Sequence, residues 1–566
     1  MKPLASLLAL ATLIPGTVSA ADGTWTSTTS GGNWSDINNW AASTPAGTGG
    51  IADLTTTDLP AGAFNVVLDA AQDVSQLLLG DADGATAATW SISGANTLTL
   101  SGAATINNSV TSTISAILGG TAGLTKNGAA NLTLSNSLNA YSGGTMLKAG
   151  TLILGSNVSF GTGGIGTGTI TFDGGNLSHA YSSANTLVYA NAIDIAAGGG
   201  TLTASNRFRM NGAVSGSGTF NLAVSSNTER SDLQNNWSAF TGKVNLSGSG
   251  VVRLGVAALG SGQPTFSATG WQNCEVDLAG TVIVRAQTNS GGNTVSIGAL
   301  SGTSTTAKLV GGTAGATTWS VGAKGTNTSF SGAIENNGAV QARLTKVGSG
   351  SLTLNGTSTY TGATTVSAGS LFVNGSLGAT AVAVDAGTFG GTGTVGGNVT
   401  VNAANFAAGA SPGSLEIAGN LGLTASSTTT IELGGTAFTL NGTEEYDRTK
   451  LTGAASALTL GGGTLSISLV NAFALAANEV FGIFQIEDGA TRTGTFGGLL
   501  NDGDLVGNFG GMNLFISYTG NVGDSGPATI TGGNDIVLYT TAVPEPTAAA
   551  VGAIGLLILL RRRRQA

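Results

Sequence analysis

The sequence predicts an all-β solenoid, in which short parallel strands stack in coils and each coil covers the apolar edge of its neighbour. The first observation is a repeat, because the stretch 123–155 returns at 343–375. The second is the pattern from 52 to 539, where short alternating apolar and polar runs are separated by Gly, Asn or Ser. The third is composition, with 92 glycines and 41% hydrophobic but only 9% charged residues. Such a mixture is typical of many strands joined by tight turns.

The two copies of the repeat agree position by position. GLTKNGAANLTL aligns with RLTKVGSGSLTL at a constant offset, so that Lys126 corresponds to Lys346. One residue is then missing from a polar loop, after which YSGGTMLKAGTLIL aligns with YTGATTVSAGSLFV. A deletion confined to a loop keeps the inward faces of the flanking strands in register, as stacked strands require. A weaker third copy lies at 240–254.

Composition also restricts the classes of partner. Lys2 and Arg561–Arg564 carry five positive charges, and without them the formal net charge of −9 becomes about −14 for the rest of the chain. An acidic body argues against nucleic acid and against anionic membrane surfaces as its partners. Cys274 has no second cysteine with which to form an intrachain disulfide, so we expect it to be a buried small apolar residue.

Residues 1–20 have the layout of a secretory signal peptide. Lys2 precedes an apolar stretch from Leu4 to Ile14, and small residues lead to a predicted cleavage between Ala20 and Ala21. An amphipathic first helix is the alternative, but the apolar stretch shows no polar face. We therefore expect the secretion machinery to export the mature chain.

Residues 21–50 are predicted to cap the amino-terminal end of the solenoid. Trp25, Trp34 and Trp40 fall close together there, and large aromatic side chains suit the task of covering the open face of a terminal coil. The same rings also suit a platform on which sugars stack, so a glycan-binding module is the alternative. The solenoid itself is predicted to span 51–540.

The two repeat copies resemble the autotransporter-associated β-strand repeat, whose usual form runs LTK-x-G-x-G-x-LTL, a loop, and YTGGT-x-V-x-AG-x-L. The stretch 409–486, which begins GASPGSLEIAGNLGL, is similar to the segment that closes the passenger β-helix of such proteins. The resemblance implies a right-handed parallel β-helix. Autotransporters end in a membrane barrel and this sequence ends differently, so self-translocation is not expected.

Residues 541–566 differ from the body. A VPEP motif is followed by an uncharged apolar run from Thr547 to Leu560 and then by four arginines. The run predicts a short hydrophobic helix, which is briefer than the roughly 20 residues that span a bilayer. The positive-inside rule places the arginines in the cytoplasm. The sorting motif and the basic cluster consist of Val543, Pro544, Glu545 and Pro546, and of Arg561, Arg562, Arg563 and Arg564.

This tail resembles the PEP-CTERM sorting signal, in which the same three parts occur in the same order. The resemblance implies transient anchoring in the inner membrane and processing near the motif by an exosortase-like enzyme. It also implies a cell that makes extracellular polysaccharide. A plain tail anchor is the alternative, although such an anchor has no need of the Pro-Glu-Pro sequence.

Residues suited to catalysis are scarce. His179 is the sole histidine, which excludes histidine-based triads and multi-histidine metal sites. No cofactor or metal site is predicted, and the run Gly532–Asp535 is interpreted as a turn before the last strand. We expect Lys126 and Lys346 to occupy solvated turn positions. The best catalytic candidates are three acidic residues in one charged loop, Glu444, Glu445 and Asp447.

These observations predict an exported, non-enzymatic protein of the cell surface or extracellular matrix. Its β-helical rod would act as a structural or adhesive element, with extracellular polysaccharide as a candidate partner. The alternatives are a carbohydrate-active β-helix enzyme, which would use the acidic loop, and a glycan-binding module, which would use the tryptophans.

Overall fold

The computed structural model confirms an all-β chain. Within the described part, the helical segments are short 3-10 turns at Ile37–Asn39, Ala41–Ser43 and Ala268–Asn273. The chain divides into two compact units, Met1–Ala223 and Val224–Ala566. The residues that the structure describes are 20–84, 87–155, 164–179, 187–205, 207–225, 230–234, 236–255, 268–287, 292–409, 412–438, 444–487, 489–524 and 528–542.

The first unit consists of short strands that pair in parallel with the equivalent strands of the next coil. Leu124–Asn127 pairs with Thr145–Leu147, which pairs in turn with Ile170–His179. The number of residues from one strand position to its paired position is the length of one coil. The strands are Gly23–Thr24, Gly32–Asn33, Gly50–Leu54, Gly62–Val67, Gln72–Leu79, Ala88–Ser93, Thr97–Asn108, Ser112–Ile114, Ile117–Gly119, Leu124–Asn127, Leu132–Leu134, Thr145–Leu147, Thr151–Leu154, Ile170–His179, Leu187–Tyr189, Ile193–Ala204, Phe208–Met210, Val214–Gly216 and Thr219–Val224.

The second unit begins with strands of the same kind. Lys243–Gly248 pairs in parallel with Glu275–Leu278, and Val251–Gly255 pairs with Ile283–Gln287. The strands of this part are Arg230–Leu233, Ala239–Phe240, Lys243–Gly248, Val251–Gly255, Glu275–Leu278, Ile283–Gln287, Ala299–Ser301, Lys308–Val310 and Ala333–Glu335.

Further along the second unit, successive coils contribute strands to three sheets. The first sheet contains Asn293–Ile297, Thr317–Val321, Ala342–Lys346, Thr364–Val366, Val382–Val384, Val399–Val401, Leu421–Leu423, Ala457–Gly461 and Thr491–Thr495. The second contains Thr328–Phe330, Ser351–Leu354, Ser370–Val373, Thr388–Gly391, Asn405–Ala408, Thr428–Phe438, Glu444–Tyr446 and Thr464–Leu469. The third contains Thr357–Ser358, Ser376–Leu377, Thr394–Val395, Ser414–Ile417, Arg448–Leu451, Val480–Ile486, Leu505–Phe509, Met512–Gly520 and Asp535–Ala542.

The alternation of the strands explains the stacking. In Ser351–Leu354 the side chains of Leu352 and Leu354 are buried, whereas those of Ser351 and Thr353 are partly exposed. Leu352 lies opposite Leu371 in the next coil, so that apolar residues form rows through the interior. Parallel strands that recur coil after coil over such rows define a parallel β-helix, as the sequence predicted.

The repeat conserves a buried hydrogen bond. The hydroxyl of Tyr141 lies 2.7 Å from that of Thr145, and the hydroxyl of Tyr360 lies 2.6 Å from that of Thr364. Both tyrosines are fully buried. Because a buried phenol requires a partner, the Tyr and Thr positions of the YxGxT stretch recur together.

The prediction that the repeat lysines are solvated is wrong. Lys126 and Lys346 are 0% and 1% exposed. The ammonium group of Lys126 donates to the carbonyl oxygens of Asn127, Gly128 and Ala149 at 3.2, 2.7 and 3.0 Å. The ammonium group of Lys346 makes the equivalent three bonds. An ammonium with three donors can join the carbonyls of a sharp corner to those of the next coil, which a solvated side chain would not do.

The closing part of the chain differs from the uniform parallel coil that the sequence suggested. Val480–Ile486 pairs antiparallel with Asp535–Ala542, which pairs antiparallel with Met512–Gly520. Met512–Gly520 also pairs antiparallel with Leu505–Phe509. Leu505–Phe509 and Met512–Gly520 are joined by a tight turn at Gly510 and Gly511, which reverses the chain direction, whereas the other antiparallel partners are joined by longer segments.

Candidate functional site

The three tryptophans of the amino-terminal segment are buried, at 1%, 0% and 3% exposure. Trp34 and Trp40 donate their indole N–H groups to the carbonyl oxygens of Ala46 and Trp34. The rings of Trp25 and Trp34 each meet that of Trp40 edge to face, with centroids 5.1 Å apart. A sugar needs an exposed ring face, so these residues do not form the glycan platform that was the alternative. That they cover the open face of the first coil remains a prediction.

The targeting segments are placed only in part. Ala20 is exposed, and Ala21 forms an antiparallel bridge with Gly47. Residues 1–19, the sorting motif 543–546 and the basic cluster 561–564 lie outside the described residues. Among the residues that are described, no helix has the length and apolarity that crossing a membrane demands. Signal cleavage and sorting therefore remain predictions.

His179 and Cys274 are both interior residues. His179 is 2% exposed, and burial lowers the pKa of its imidazole to about 4. Cys274 is 0% exposed, and burial raises the pKa of its thiol to about 12, as expected of a small apolar core residue. Neither side chain has the accessibility that a nucleophile or a proton-transfer group needs.

The structure separates the three acidic candidates. The carboxylate of Glu444 accepts a bond from the Ser414 hydroxyl at 2.7 Å, and that of Glu445 accepts one from the Ala437 N–H at 2.9 Å. Asp447 is 1% exposed and borders a cavity. Its two oxygens accept bonds from the N–H groups of Gly413 and Glu432 at 3.1 and 2.8 Å.

That cavity, which we call the lateral groove, has a volume of about 390 Å³ and lies on the outer surface of the second sheet. It is lined by Phe372, Ala407, Thr430, Glu432 and Asp447, among others. Its volume is within the range of roughly 300–1,000 Å³ that is usual for small-molecule sites.

Strand register explains why a depression forms there. Phe372 lies opposite Gly390, Gly390 opposite Ala407, and Ala407 opposite Thr430 on successive strands. Side chains at these positions point away from the core, because their sequence neighbours are buried. The small side chain of Ala407 therefore leaves a gap between the ring of Phe372 and the side chain of Thr430, three strand spacings or about 14 Å apart. Gly390 lets its strand approach the next one closely, because a Cβ atom there would meet the Ala407 carbonyl oxygen.

Polar groups line the same groove. Asn374 and Glu432 stand two positions beyond Phe372 and Thr430, on the same outer faces. Antiparallel pairing of Thr428–Phe438 with Glu444–Tyr446 then brings Asp447 beside Glu432. The result is an apolar floor with amide, hydroxyl and carboxylate groups at its margin.

Both ionisable residues that line the groove are acidic. Burial raises the pKa of Asp447 to about 8, and the charges of Glu432 and Glu444 act in the same direction. The two backbone N–H bonds favour the charged form and oppose that rise. A negatively charged ligand would find no cation in this pair, and the Glu432 carboxylate would repel it.

Phe372 and Glu432 were missed by the analysis of the sequence, although a signal for each was present. Phe372 replaces Ile153 at the matching outward position of the other repeat copy, and an outward aromatic residue is unusual in a chain so rich in Thr and Ser. Glu432 is the only charged residue in the run TTTIELGG. Neither signal revealed the gap between them, which depends on Gly390 and on strand register.

Two other polar clusters are present in the described part. A cavity of about 450 Å³ is bordered by Gln485, Glu487 and Asp535. Asp535 begins the last strand and accepts bonds from the N–H groups of Ile486 and Val522, which confirms the interpretation of the preceding run as a turn. The carboxylates of three exposed or half-buried residues, Asp58, Asp81 and Asp83, lie within 4.8 Å of one another.

Comparisons with known proteins agree with the repeat. Residues 124–154 and 344–372 match the model of the passenger-associated transport repeat. The third, weaker copy at 240–254 lies outside those matches. A search of the curated proteins finds no match.

One solved structure returned by the comparison is the crystal structure of the Haemophilus influenzae Hap adhesin. The sequence identity is 13% and the TM-score is 0.31. The match covers 88% of this chain and 64% of that chain. A score so low does not define a common fold, and the β-helix assignment rests on the strand pairings given above.

Proposed function

We propose that this chain is an exported, non-enzymatic protein of the cell surface or extracellular matrix, with a structural or adhesive role. The observation that carries the proposal is the combination of two passenger-associated transport repeats with a parallel β-helix. A β-helix offers long outward faces on a backbone whose hydrogen bonds are already satisfied. Such a surface suits contact with an extended partner.

Export and anchoring form the second part of the proposal. The signal sequence would direct the chain to the secretion machinery, with cleavage between Ala20 and Ala21. The carboxyl-terminal helix would hold the chain in the inner membrane, with Arg561–Arg564 on the cytoplasmic side. An exosortase-like enzyme would then act near Val543–Pro546, and the processed chain would remain in the envelope or reach the extracellular matrix.

Cell fractionation tests both parts. We expect a tagged chain to be found in the envelope and outside the cell, and Glu545→Ala to accumulate as an unprocessed form in the inner membrane. The matched control is Asp504→Ala, which removes a half-buried carboxylate outside the sorting motif and should leave processing unchanged. Unaltered processing and location of Glu545→Ala would refute the sorting proposal. Retention of the wild-type chain in the cytoplasm would refute export.

A carbohydrate-active enzyme is the second candidate, because the lateral groove contains two carboxylates. Glu432 and Asp447 would be its acid–base pair, in place of Glu444 and Glu445. Asp447 uses both oxygens to hold backbone N–H groups, which favours a structural role over proton transfer. Release of reducing ends from a neutral polysaccharide by the purified chain, and its loss in Glu432→Gln, would support the enzyme and refute the non-enzymatic proposal.

A further inference from the structure

We infer that the lateral groove is a binding site for a saccharide that carries no carboxylate, namely a neutral or amino-substituted sugar chain. This inference deepens the proposed adhesive function and rests on it for its biological meaning. It names the chemical class of the partner and the residues that would recognise it.

The floor of the groove determines how a ligand is held. Thr353, Phe372, Gly390, Ala407 and Thr430 lie in one row across a continuous parallel sheet. The backbone N–H and C=O groups of these strands are used in the sheet, so a peptide cannot bind there by adding a strand. Recognition must therefore come from side chains.

The side chains offer one apolar surface and several hydrogen-bond acceptors. Phe372 is half-buried, and its ring has no side chain beside it at position 390. A pyranose ring has an apolar face of C–H groups that can lie on an aromatic ring. Its hydroxyl groups can donate to the carboxylate of Glu432 and exchange bonds with Asn374 and Thr388 at the groove margin.

Charge distinguishes between classes of saccharide. Glu432 and Asp447 border the groove, and none of the described residues that line it is basic. A uronate or sulfated chain would bring anions to the Glu432 carboxylate in a partly enclosed space, where repulsion is stronger than in bulk water. Neutral hydroxyls and protonated amines meet no such penalty.

The shape of the groove beside Asp447 depends on Gly409. Its φ is +92°, and a Cβ atom at this position would come within 2.5 Å of the Gly413 nitrogen and equally close to the Asp447 carboxylate. The absence of a side chain lets Asp447 reach the groove wall and fix the strand that carries Glu432. The backbone of Glu432 is thereby held in one position relative to the floor.

Isothermal titration of the purified full chain provides the test. The probes are cellopentaose, a glucosamine pentamer and a galacturonate pentamer. We expect binding of one or both of the first two and none of the third. Phe372→Ala should weaken that binding about tenfold, because the stacking surface is lost. Glu432→Gln should weaken it about threefold or more.

Two further variants control for folding. Ile153→Ala removes the outward side chain at the matching position of the other repeat copy and should leave affinity unchanged. Ala407→Phe fills the groove from a half-exposed position and should abolish binding while circular dichroism stays that of the wild type. Phe372→Ala with wild-type affinity, equal binding of galacturonate, or no binding of any probe by the folded chain would overturn the inference. Binding of an extended peptide instead would also overturn it.

Cell attachment separates this inference from the proposed function. If the chain reaches the surface and supports attachment equally well with Phe372→Ala, the groove is not the contact and the adhesive role stands. If the purified chain binds the saccharide but is never exported, the groove assignment stands and the surface function fails.

Discussion

At the scale of single residues, the lysine of the repeat is a stabilising group rather than a solvated one. Lys346 donates to the carbonyl oxygens of Val347, Gly348 and Ala368 at 2.7, 3.0 and 3.3 Å. Burial lowers the pKa of this ammonium, so its interior position costs free energy that the three bonds offset. The lysine therefore recurs in both copies because the corner of each copy presents three carbonyls in need of donors.

Replacement of Lys346 by methionine should destabilise the chain by about 3 kcal/mol, because buried carbonyls lose their donors. The measurement is the urea midpoint of unfolding. Lys308→Met is the matched control, since Lys308 is 41% exposed and its ion pair with Glu335 is at the surface. That variant should shift stability by less than about 1 kcal/mol. Equal midpoints for Lys346→Met and the wild type would contradict the role assigned to this lysine.

His179 should make the chain sensitive to acid. Within the described residues its two ring nitrogens have no hydrogen-bond partner, and its ring packs against Tyr189 and Phe208. The imidazole of the unfolded chain takes up a proton near pH 6.5, whereas the imidazole of the native chain takes up a proton only near pH 4. Between these values the unfolded state binds more protons, so stability falls as the pH is lowered, by up to about 3 kcal/mol.

Urea unfolding at pH 7.5 and pH 4.5 tests this expectation. The wild-type midpoint should drop between the two values, and His179→Phe should lose much of that drop because phenylalanine packs in the same site without taking up a proton. Other groups also titrate in this interval, so the quantity that decides is the difference between the two proteins. An identical acid response in both would remove His179 as the cause.

At the scale of the element, glycines close the corners between strands. Gly369 has a φ of +66°, and a Cβ atom there would meet the carbonyl oxygens of Gly350 and Gly348 on the neighbouring coil. Gly510 has a similar φ of +61° but open space around it. Substitutions at Gly510 and Gly369 therefore separate the free-energy cost of the left-handed conformation from the added cost of crowding by the neighbouring coil.

Gly510→Ala should therefore cost about 1 kcal/mol, the usual penalty of a left-handed non-glycine residue. Gly369→Ala should cost about 3 kcal/mol or more, since backbone of the adjacent coil must also move. Thermal unfolding of the two variants measures the difference. Similar melting temperatures would show that the coils yield easily and that the corner is not crowded.

Elements also show what sequence alone predicts. Alternation in SLTL and SLFV predicts strands with buried leucines, because period two is visible in a single strand. The lateral groove is different, since it arises from Phe372, Gly390 and Ala407 on three strands. Their alignment depends on the number of residues in each coil. The coils from Thr364 to Val382 and from Val382 to Val399 are short, whereas the coil from Leu421 to Leu458 is long. No local pattern reports these lengths.

The buried lysine was missed for a similar reason. Its sequence context, a lysine two residues before a glycine, is also that of an exposed turn. Only the carbonyl of the next coil, at Ala149 or Ala368, makes the position interior. Conversely, the burial of Cys274 and of the amino-terminal tryptophans followed from residue type, because these side chains are apolar in either context.

At the scale of the whole molecule, stability rests on stacking without covalent support. Cys274 is the sole cysteine, so no intrachain disulfide constrains the unfolded chain. Each coil is held by strand pairing and buried apolar rows that involve adjacent coils. The thiol of Cys274 is buried just before the strand Glu275–Leu278, and its sulfur donates to the Trp271 carbonyl oxygen at 3.3 Å.

This thiol should therefore report the opening of its unit. Because the group is fully buried and its pKa is raised to about 12, a thiol reagent at pH 8 meets almost no accessible thiolate in the native chain. Labelling should be many times slower than in urea-unfolded chain, and it should accelerate as the stacked rings of Trp237 and Trp271 separate and their fluorescence changes. Dithiothreitol should leave the unfolding midpoint unchanged. Rapid native labelling would mean that the coils around Cys274 open readily, and stacking alone would then not account for the stability of this unit.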